Sequence, residues 1–419
     1  MRVAVLGAGI MGVATAYYLA EMGHDIVVIE KESGAAEGAT HANGGVVHAS
    51  GVEPWAHPGM PSQLIRSLGR EDSPVLLRLS AIPRMWRWGI RFLSNCREAP
   101  AHRHAQANAR LALLSFESFE EIRSKLSIEY GFKKPGALKI FHDTASLEAA
   151  EATFTGLADT GLAFERLSKE EAMALEPGLR STEASLVGAL FFPDEEVGDP
   201  NLFTKSLATN CESMGATFHY GESVQSLQTS GETVTGVVTD KGLHRADAYV
   251  VAMGAHTGVL LRTLGLPVWI YPVKGVTVTV ACPGWREAPT RPIIDGNRFF
   301  GLVPMGVRMR CSGFAEVGNF DPRPNRARCE ALVRNVASVF PEFKDCYDPD
   351  KAIYWGGLRP ATPTGTPYLG VTHISNLYVN AGHTQMGWTQ GCGSGRVVAD
   401  LVSGKDSPIR MEGLSVHDR

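Results

Sequence analysis

Val3-Ala4-Val5-Leu6-Gly7-Ala8-Gly9-Ile10-Met11-Gly12, then Val13 to Met22, then Asp25-Ile26-Val27-Val28-Ile29-Glu30, is the stretch that decides the fold of this chain. The opening apolar run reads as a buried strand, and the glycines after it fall at the spacing Gly-x-Gly-x-x-Gly. Gly7 permits a tight turn, Gly9 lets backbone approach a pyrophosphate, and Gly12 lets the following helix pack close to the sheet. Backbone N–H groups at that helix N-terminus then face phosphate charge. The second apolar strand ends in Glu30, whose carboxylate can accept both ribose hydroxyls of an adenosine. Strand, glycines, helix, second strand and terminal acid all fall in register, so the segment predicts a dinucleotide-binding unit rather than a chance motif.

At 419 residues the chain has polypeptide for two or three domains, and 44% hydrophobic residues can build substantial cores. A formal net charge of −4 gives no footing for nucleic acid. Seven scattered cysteines without a CxxC pair read as reduced thiols in a cytoplasmic compartment, and no metal site is implied. No Lys/Arg-rich leader precedes an apolar core, and no apolar run is long enough to span a bilayer, so the expectation is a soluble chain or one lying on a membrane surface.

Beyond Glu30, the small residues of 31–45 leave backbone amides accessible. Residues 61–130 read mostly as helix. Strands are expected at Gly136–Phe141 and Leu186–Phe192, a helix from Pro200 to Met214, and a strand at Ala216–Tyr220. Val224–Leu227 and Val234–Thr239 alternate like a small antiparallel sheet. Ala248 to Ala255 and Asn376 to His383 are apolar strands ending in glycine, where parallel strands return to the nucleotide. Strands fill Val276–Val280, Arg298–Val303 and Val307–Cys311, and Gly387 to Leu401 closes the chain as a helix. The expected fold class is α/β plus β. A Rossmann-like nucleotide-binding domain is assembled from 1–80, 195–260 and 350–419, and a mixed-sheet substrate domain from 81–194 and 261–349. There is no internal repeat and no low-complexity linker.

This layout resembles the FAD-dependent D-amino-acid oxidase and glycine oxidase superfamily nearly end to end, with its nearest likeness to the bacterial D-amino-acid dehydrogenase small-subunit family. The segments that carry the resemblance are Val5 to Glu30, Ala42-Asn43-Gly44-Gly45, Pro54-Trp55-Ala56, Tyr271-Pro272-Val273-Lys274-Gly275, Gly357-Leu358-Arg359-Pro360 with Thr362-Pro363, and Gly382-His383 through Gly387-Trp388-Thr389. Two departures stand out. Thr40-His41-Ala42-Asn43 replaces the usual Ser-Ala-Ala-Asn, and Pro363-Thr364-Gly365 replaces Pro-Asp-Gly. The first keeps a hydroxyl; His41 and Thr364 leave room for a different substrate branch.

The resemblance implies non-covalent FAD, because no cysteine occupies the position where sarcosine-oxidising relatives attach flavin. It implies contacts from Gly7, Gly9, Ile10, Met11 and Gly12, from Glu30 and Lys31, and from Ala39, Thr40, Ala42, Asn43, Gly44 and Gly45. Later strands and the closing helix add Val224, Ala252, Gly254, Gly382, His383, Gly387, Trp388 and Thr389. The helix N-terminus near His383 can stabilise negative charge on a reduced flavin. Arg359 is implied as the partner of the substrate carboxylate, since a guanidinium matches a carboxylate bidentately. Tyr271, Lys274 and His48 are further candidates for substrate contact.

The reaction so implied is oxidative deamination of D-amino acids by hydride transfer to flavin, with oxygen or a quinone as acceptor. The alternative within the class is a secondary amino acid of the hydroxyproline, sarcosine or iminodiacetate type. A nicotinamide-dependent dehydrogenase and a non-catalytic flavoprotein subunit are the rivals outside it. Finally, Pro83 to Leu93 is aromatic and basic at helical spacing, compatible either with a core-packing helix or with peripheral contact at the inner face of a membrane.

Overall fold

The computed structural model describes residues 1–418; Arg419, the last residue of the range assigned to the nucleotide-binding part, lies outside them. Strand β1 (Arg2–Leu6), helix α1 (Ile10–Glu21) and strand β2 (Asp25–Ile29) form the expected unit. β1 runs parallel to β2, Leu6 opposite Ile29, and on its other side parallel to Ala248–Val251, Leu6 opposite Val251. Val3 to Leu6 are all buried, which is why the strand reads as a continuous apolar run rather than an alternation. Leu377–Ala381 extends this sheet on one side and Thr217–His219 on the other, with Tyr368–Val371 as an antiparallel edge. Six strands from three separated stretches of chain thus make one layer.

Helix α1 lies against the closing helix Gly387–Val402, and small residues set how closely they approach. A Cβ on Gly391 would fall 2.5 Å from Ile10 Cγ1, and one on Gly395 would fall 2.7 Å from Ala14. On another side of the closing helix a Cβ on Gly393 would meet the Ser115 backbone at 2.8 Å. That contact seats the long helix Glu98–Lys125, whose Leu111, Leu114, Phe119 and Ile122 join the same core as Val5, Ala14, Tyr17 and Val28.

The second layer is a nine-stranded, mainly antiparallel sheet built around Tyr271–Ala281, with Ile353–Ala361 on one side and Arg308–Val317 on the other. Its far face packs Val276, Val278, Val280, Met309 and Cys311 onto Leu332, Phe340 and Phe343 from the helical segment after Asn325. Alternation along each strand turns the intervening residues toward the nucleotide-binding layer.

Three placements differ from the sequence reading. The expected helical run 61–130 is interrupted by strand Val75–Leu77, which pairs in parallel with Ala315 to Val317. Glu98–Lys125, read as part of the substrate domain, packs in the nucleotide-side core. Ile353–Ala361, read with the nucleotide-binding part, lies in the large sheet. In each case tertiary pairing decides what local pattern cannot.

Candidate active site

The phosphate turn has the geometry that its glycines promise. Gly7 sits at φ +105°, and a Cβ there would lie 2.6 Å from the Ala252 carbonyl oxygen. A Cβ on Gly12 would lie 1.8 Å from the Gly7 carbonyl oxygen, a hard clash. The Glu30 carboxylate is held at the strand end by N–H donors from Ala8 at 2.7 Å and Glu32 at 3.0 Å. Thr40 Oγ1 accepts from the Ile10 N–H at 3.2 Å, so the hydroxyl that replaces the family's serine closes this loop onto the helix N-terminus.

The loop through Ala42, Asn43, Gly44 and Gly45 lies between the two layers. Thr277 Oγ1 donates to the Ala42 carbonyl at 3.1 Å. Arg310, buried, donates through Nη1 to the Asn43 carbonyl at 3.0 Å and through Nε to Thr279 Oγ1 at 3.1 Å. Asp199 stands 3.8 Å from its other terminal nitrogen. A cavity of about 230 Å³ opens beside this clamp, bordered by His41, Ala42, Thr277, Arg310 and Trp355. A larger one, about 490 Å³, is lined by Arg91, Arg103, Arg110 and Trp269, and of the residues singled out in the sequence it touches Thr364.

Arg359 shares this inner face of the sheet. Its guanidinium lies where a Gly275 side chain would be, 2.2 Å from that absent Cβ, so Gly275 of the Tyr-Pro-Val-Lys-Gly segment makes its room. Nη1 donates to the Phe314 carbonyl at 2.7 Å, and the group lies 5.8 Å from the Trp55 ring centroid. No carboxylate among the described residues pairs with it. Burial alone depresses its pKa to about 10. A half-buried guanidinium without an acid partner is costly to hold and therefore suited to receiving an anion.

The Gly382-His383 turn is tied to the same strand. Gly382 adopts φ +91° and Thr384, unusually for a β-branched residue, φ +49°, while the Thr384 N–H donates to the Pro360 carbonyl at 3.2 Å. His383 is 1% exposed, burial pulls its pKa down to about 3, and neither ring nitrogen has a hydrogen-bond partner. Trp388 Nε1, Gln385 Oε1 and Gln390 Oε1 are unpartnered near the same helix start. Buried polar atoms are otherwise almost always paired, so this cluster, together with the glycine cradle and Glu30, fits a bound FAD along the cleft. The His48 N–H donates to Thr389 Oγ1 at 3.0 Å, joining the first loop to the closing helix.

The structure links these candidates by direct contacts: Gly7 approaches Ala252, Gly9 approaches Thr40, Ala8 donates to Glu30, Gly387 approaches Met11 and His383, and His48 donates to Thr389. Gly254, at φ +54°, opens the turn after Ala252. Val224 begins the small antiparallel sheet two residues after Glu222, whose N–H bonds the Glu30 carbonyl. Other candidates have different surroundings. Lys274 lies on the opposite face of the sheet, 4.0 Å from Glu316 and bonded to the Arg323 carbonyl. Tyr271 donates its hydroxyl to Gly318 and packs its ring near Trp88. The Trp388 ring is part of an aromatic core with Phe119, Phe203 and Tyr130. Lys31 pairs with Glu32 at the surface, and Ala39 is exposed.

Sequence reading missed Thr277 and Arg310. Their signal was present as polar residues at alternate positions of otherwise apolar strands, in Val276-Thr277-Val278-Thr279-Val280 and Met309-Arg310-Cys311. It also missed Glu195, 1% exposed, which accepts from the Ser50 N–H at 2.6 Å and from Ser50 Oγ at 3.2 Å. Burial pushes its pKa up to about 8. His48 Nδ1 lies 3.3 Å from the same Ser50 Oγ, its own pKa pulled down to about 4 by burial.

The family described as FAD dependent oxidoreductase (DAO) matches residues 2–401. A D-amino acid dehydrogenase of Allorhizobium ampelinum is 39% identical over 409 residues, covering 98% of this chain and 96% of that protein. One from Paramagnetospirillum magneticum is 39% identical over 417 residues, covering 99% and 98%. Among solved structures, glycine oxidase from Geobacillus kaustophilus superposes with a TM-score of 0.79 at 24% identity, covering 100% of this chain and 99% of that one.

Proposed function

We propose that this chain, which belongs to the DAO family of FAD dependent oxidoreductases, oxidises D-amino acids to 2-oxo acids and ammonia. The observation that carries this reading is Arg359: a guanidinium without an acid partner, on the sheet face turned toward the cleft, in a chain 39% identical to D-amino acid dehydrogenases. Bound FAD supplies the acceptor for a hydride from the substrate α-carbon.

The protein's part is positioning. Arg359 binds the substrate carboxylate and so restricts where the α-carbon can sit in the site. The Phe314 carbonyl and the Trp55 ring hold the guanidinium in place before substrate arrives. His383, neutral at working pH, adds no charge to this turn, and the Gly382 to Thr389 backbone would hold FAD on that side. The substrate amine must be neutral for hydride to leave. The resulting imino acid takes up water and releases ammonia. Loop 42–45, clamped by Thr277 and Arg310, would hold the other side of the cofactor. Electrons then leave to oxygen or to a quinone.

Incubation with D-amino acids and an artificial electron acceptor tests the reading. It expects 2-oxo acid, ammonia and reduced acceptor in equal amounts. Turnover confined to secondary amino acids would move the enzyme to the hydroxyproline, sarcosine or iminodiacetate branch.

A further inference from the structure

Glu195 and Glu196 are adjacent and both buried, yet their surroundings differ. Glu196 has a counter-ion, Arg123, which donates to its two oxygens at 2.7 and 2.8 Å. Glu195 has none among the described residues. It is held by Ser50 instead, through the N–H at 2.6 Å and the hydroxyl at 3.2 Å. Ser50 is itself buried, and its hydroxyl oxygen lies 3.3 Å from His48 Nδ1. A buried acid without a cation costs stability, and a structural role does not explain why it is kept. Groups of this kind gather where a reaction handles protons.

The three residues form a line with a direction. A carboxylate only accepts, so the Ser50 hydroxyl hydrogen is committed to Glu195 and Ser50 Oγ accepts from His48 Nδ1–H. That fixes the neutral tautomer of His48 and leaves a bare lone pair on Nε2, which has no partner among the described residues. The His48 ring is half-buried, yet deep enough for burial to hold its pKa at about 4, so it lines an internal cleft and not the outer surface. The segment 48–55 places that cleft. At one end the His48 N–H bonds Thr389 Oγ1 at the start of the closing helix. In the middle Gln385 Nε2 donates to the Gly51 and Glu53 carbonyls at 3.1 and 3.0 Å. At the other end the Trp55 ring lies 5.8 Å from the Arg359 guanidinium. The segment therefore runs from the Gly382 to Thr389 turn to the substrate anchor. Lys139 is the charge that faces both His48 and Glu195, but its ammonium is paired with Glu53, and His57 stands beside that pair.

We propose that His48, Ser50 and Glu195 carry the proton that the substrate ammonium must lose, with Glu195 as its final acceptor. The substrate nitrogen gives a proton to His48 Nε2, His48 Nδ1–H passes one to Ser50 Oγ, and the Ser50 hydroxyl proton goes to Glu195 Oε2. His48 ends neutral with its proton on Nε2, Ser50 is unchanged, and Glu195 becomes a neutral acid. The electron pair left on the substrate nitrogen forms the C=N bond as the hydride departs. Once product has left, the proton returns along the same line to water and His48 regains its first tautomer. His48 is the member that touches substrate; Ser50 and Glu195 act through it. A carboxylate that titrates near pH 8 is matched to this task at neutral pH. The inference rests on oxidation of an amino acid at its α-carbon, and holds equally for a secondary amine, which must lose the same proton.

Anaerobic stopped-flow reduction of the FAD-loaded protein by D-alanine, followed from about pH 6 to about pH 10, tests it. The limiting rate of flavin bleaching in the parent should rise with pH and level off above about 8. Glu195→Gln and Ser50→Ala should each lower that rate at least about tenfold at the plateau and abolish the levelling, with FAD content as in the parent. Variants that keep the parent's inflection overturn the proposal at whatever rate they run, because loss of a merely structural contact lowers the rate evenly across pH. Infrared pH titration of the substrate-free holoenzyme reads the same group without turnover. A buried carboxylic-acid C=O band should vanish between about pH 7 and 9 and be missing throughout in Glu195→Gln. A parent without that band overturns the relay whatever the substrate. Bleaching by sarcosine and not by D-alanine would sink the substrate reading alone, and the same profiles taken with sarcosine then decide the relay.

Discussion

Replacing Arg359 with methionine separates a substrate anchor from a structural arginine, because the two roles predict opposite effects on stability. The guanidinium is held without an acid, and a pKa reduced from 12.5 to about 10 by burial corresponds to on the order of 3 kcal/mol of unfavourable desolvation at neutral pH. Methionine removes that cost and keeps most of the apolar stem. The loss is one hydrogen bond to the Phe314 carbonyl, about 1 kcal/mol. Tm should therefore hold or rise. Breaking a buried charge pair with the substrate carboxylate costs about 3–5 kcal/mol, roughly a hundred- to several-thousandfold in kcat/KM. Differential scanning fluorimetry, flavin absorbance per chain and steady-state kinetics on D-amino acids read the three quantities. A variant with parental kcat/KM and a clearly lower Tm would refute the reasoning and return Arg359 to the scaffold.

Gly12→Ala drives a methyl into the Gly7 carbonyl and should weaken FAD at least roughly tenfold, about 1.4 kcal/mol, read as flavin absorbance retained after dialysis. Glu195 has a folded-state pKa near 8, above its unfolded value, so the folded state binds the extra proton and stability falls as pH rises through that window. Glu195→Gln should flatten the decline between about pH 6.5 and 8, at most about 1.4 kcal/mol per pH unit, seen by urea melts at each pH. Lys274→Met should keep kcat/KM within a factor of about three, under about 0.7 kcal/mol, because the ammonium faces Glu316 behind the sheet; a large loss would place it in the pocket.

The nucleotide half of the fold was legible because its signals are local. Glycine spacing, a following helix and an acid at the second strand end are all contained within thirty residues, and the structure keeps them in that order. The terminal strands and helices were legible for the same reason: long apolar runs with a glycine stop. Layer membership was not. Strand Ile353–Ala361 joins the large sheet only through pairing with Tyr271–Ala281, more than seventy residues earlier in the chain, and nothing in its own composition says so. Lys274 illustrates the period-two problem. It adjoins Gly275, which makes space for Arg359, yet a shift of one residue along a strand reverses the face. The clamp of Thr277 and Arg310 was written in the sequence as alternation, but its partner, the Ala42 to Asn43 backbone, could be found only in three dimensions.

The account rests on a flavin cleft that takes a D-amino acid by its carboxylate, and an anaerobic titration of the purified protein with D-, L- and N-substituted amino acids, following flavin absorbance, tests it most directly. The expected result is an oxidised flavin spectrum that bleaches with D-amino acids and persists with their L-enantiomers. Bleaching by N-substituted amino acids alone would contradict the substrate, and a colourless protein that binds no FAD would contradict the cleft itself.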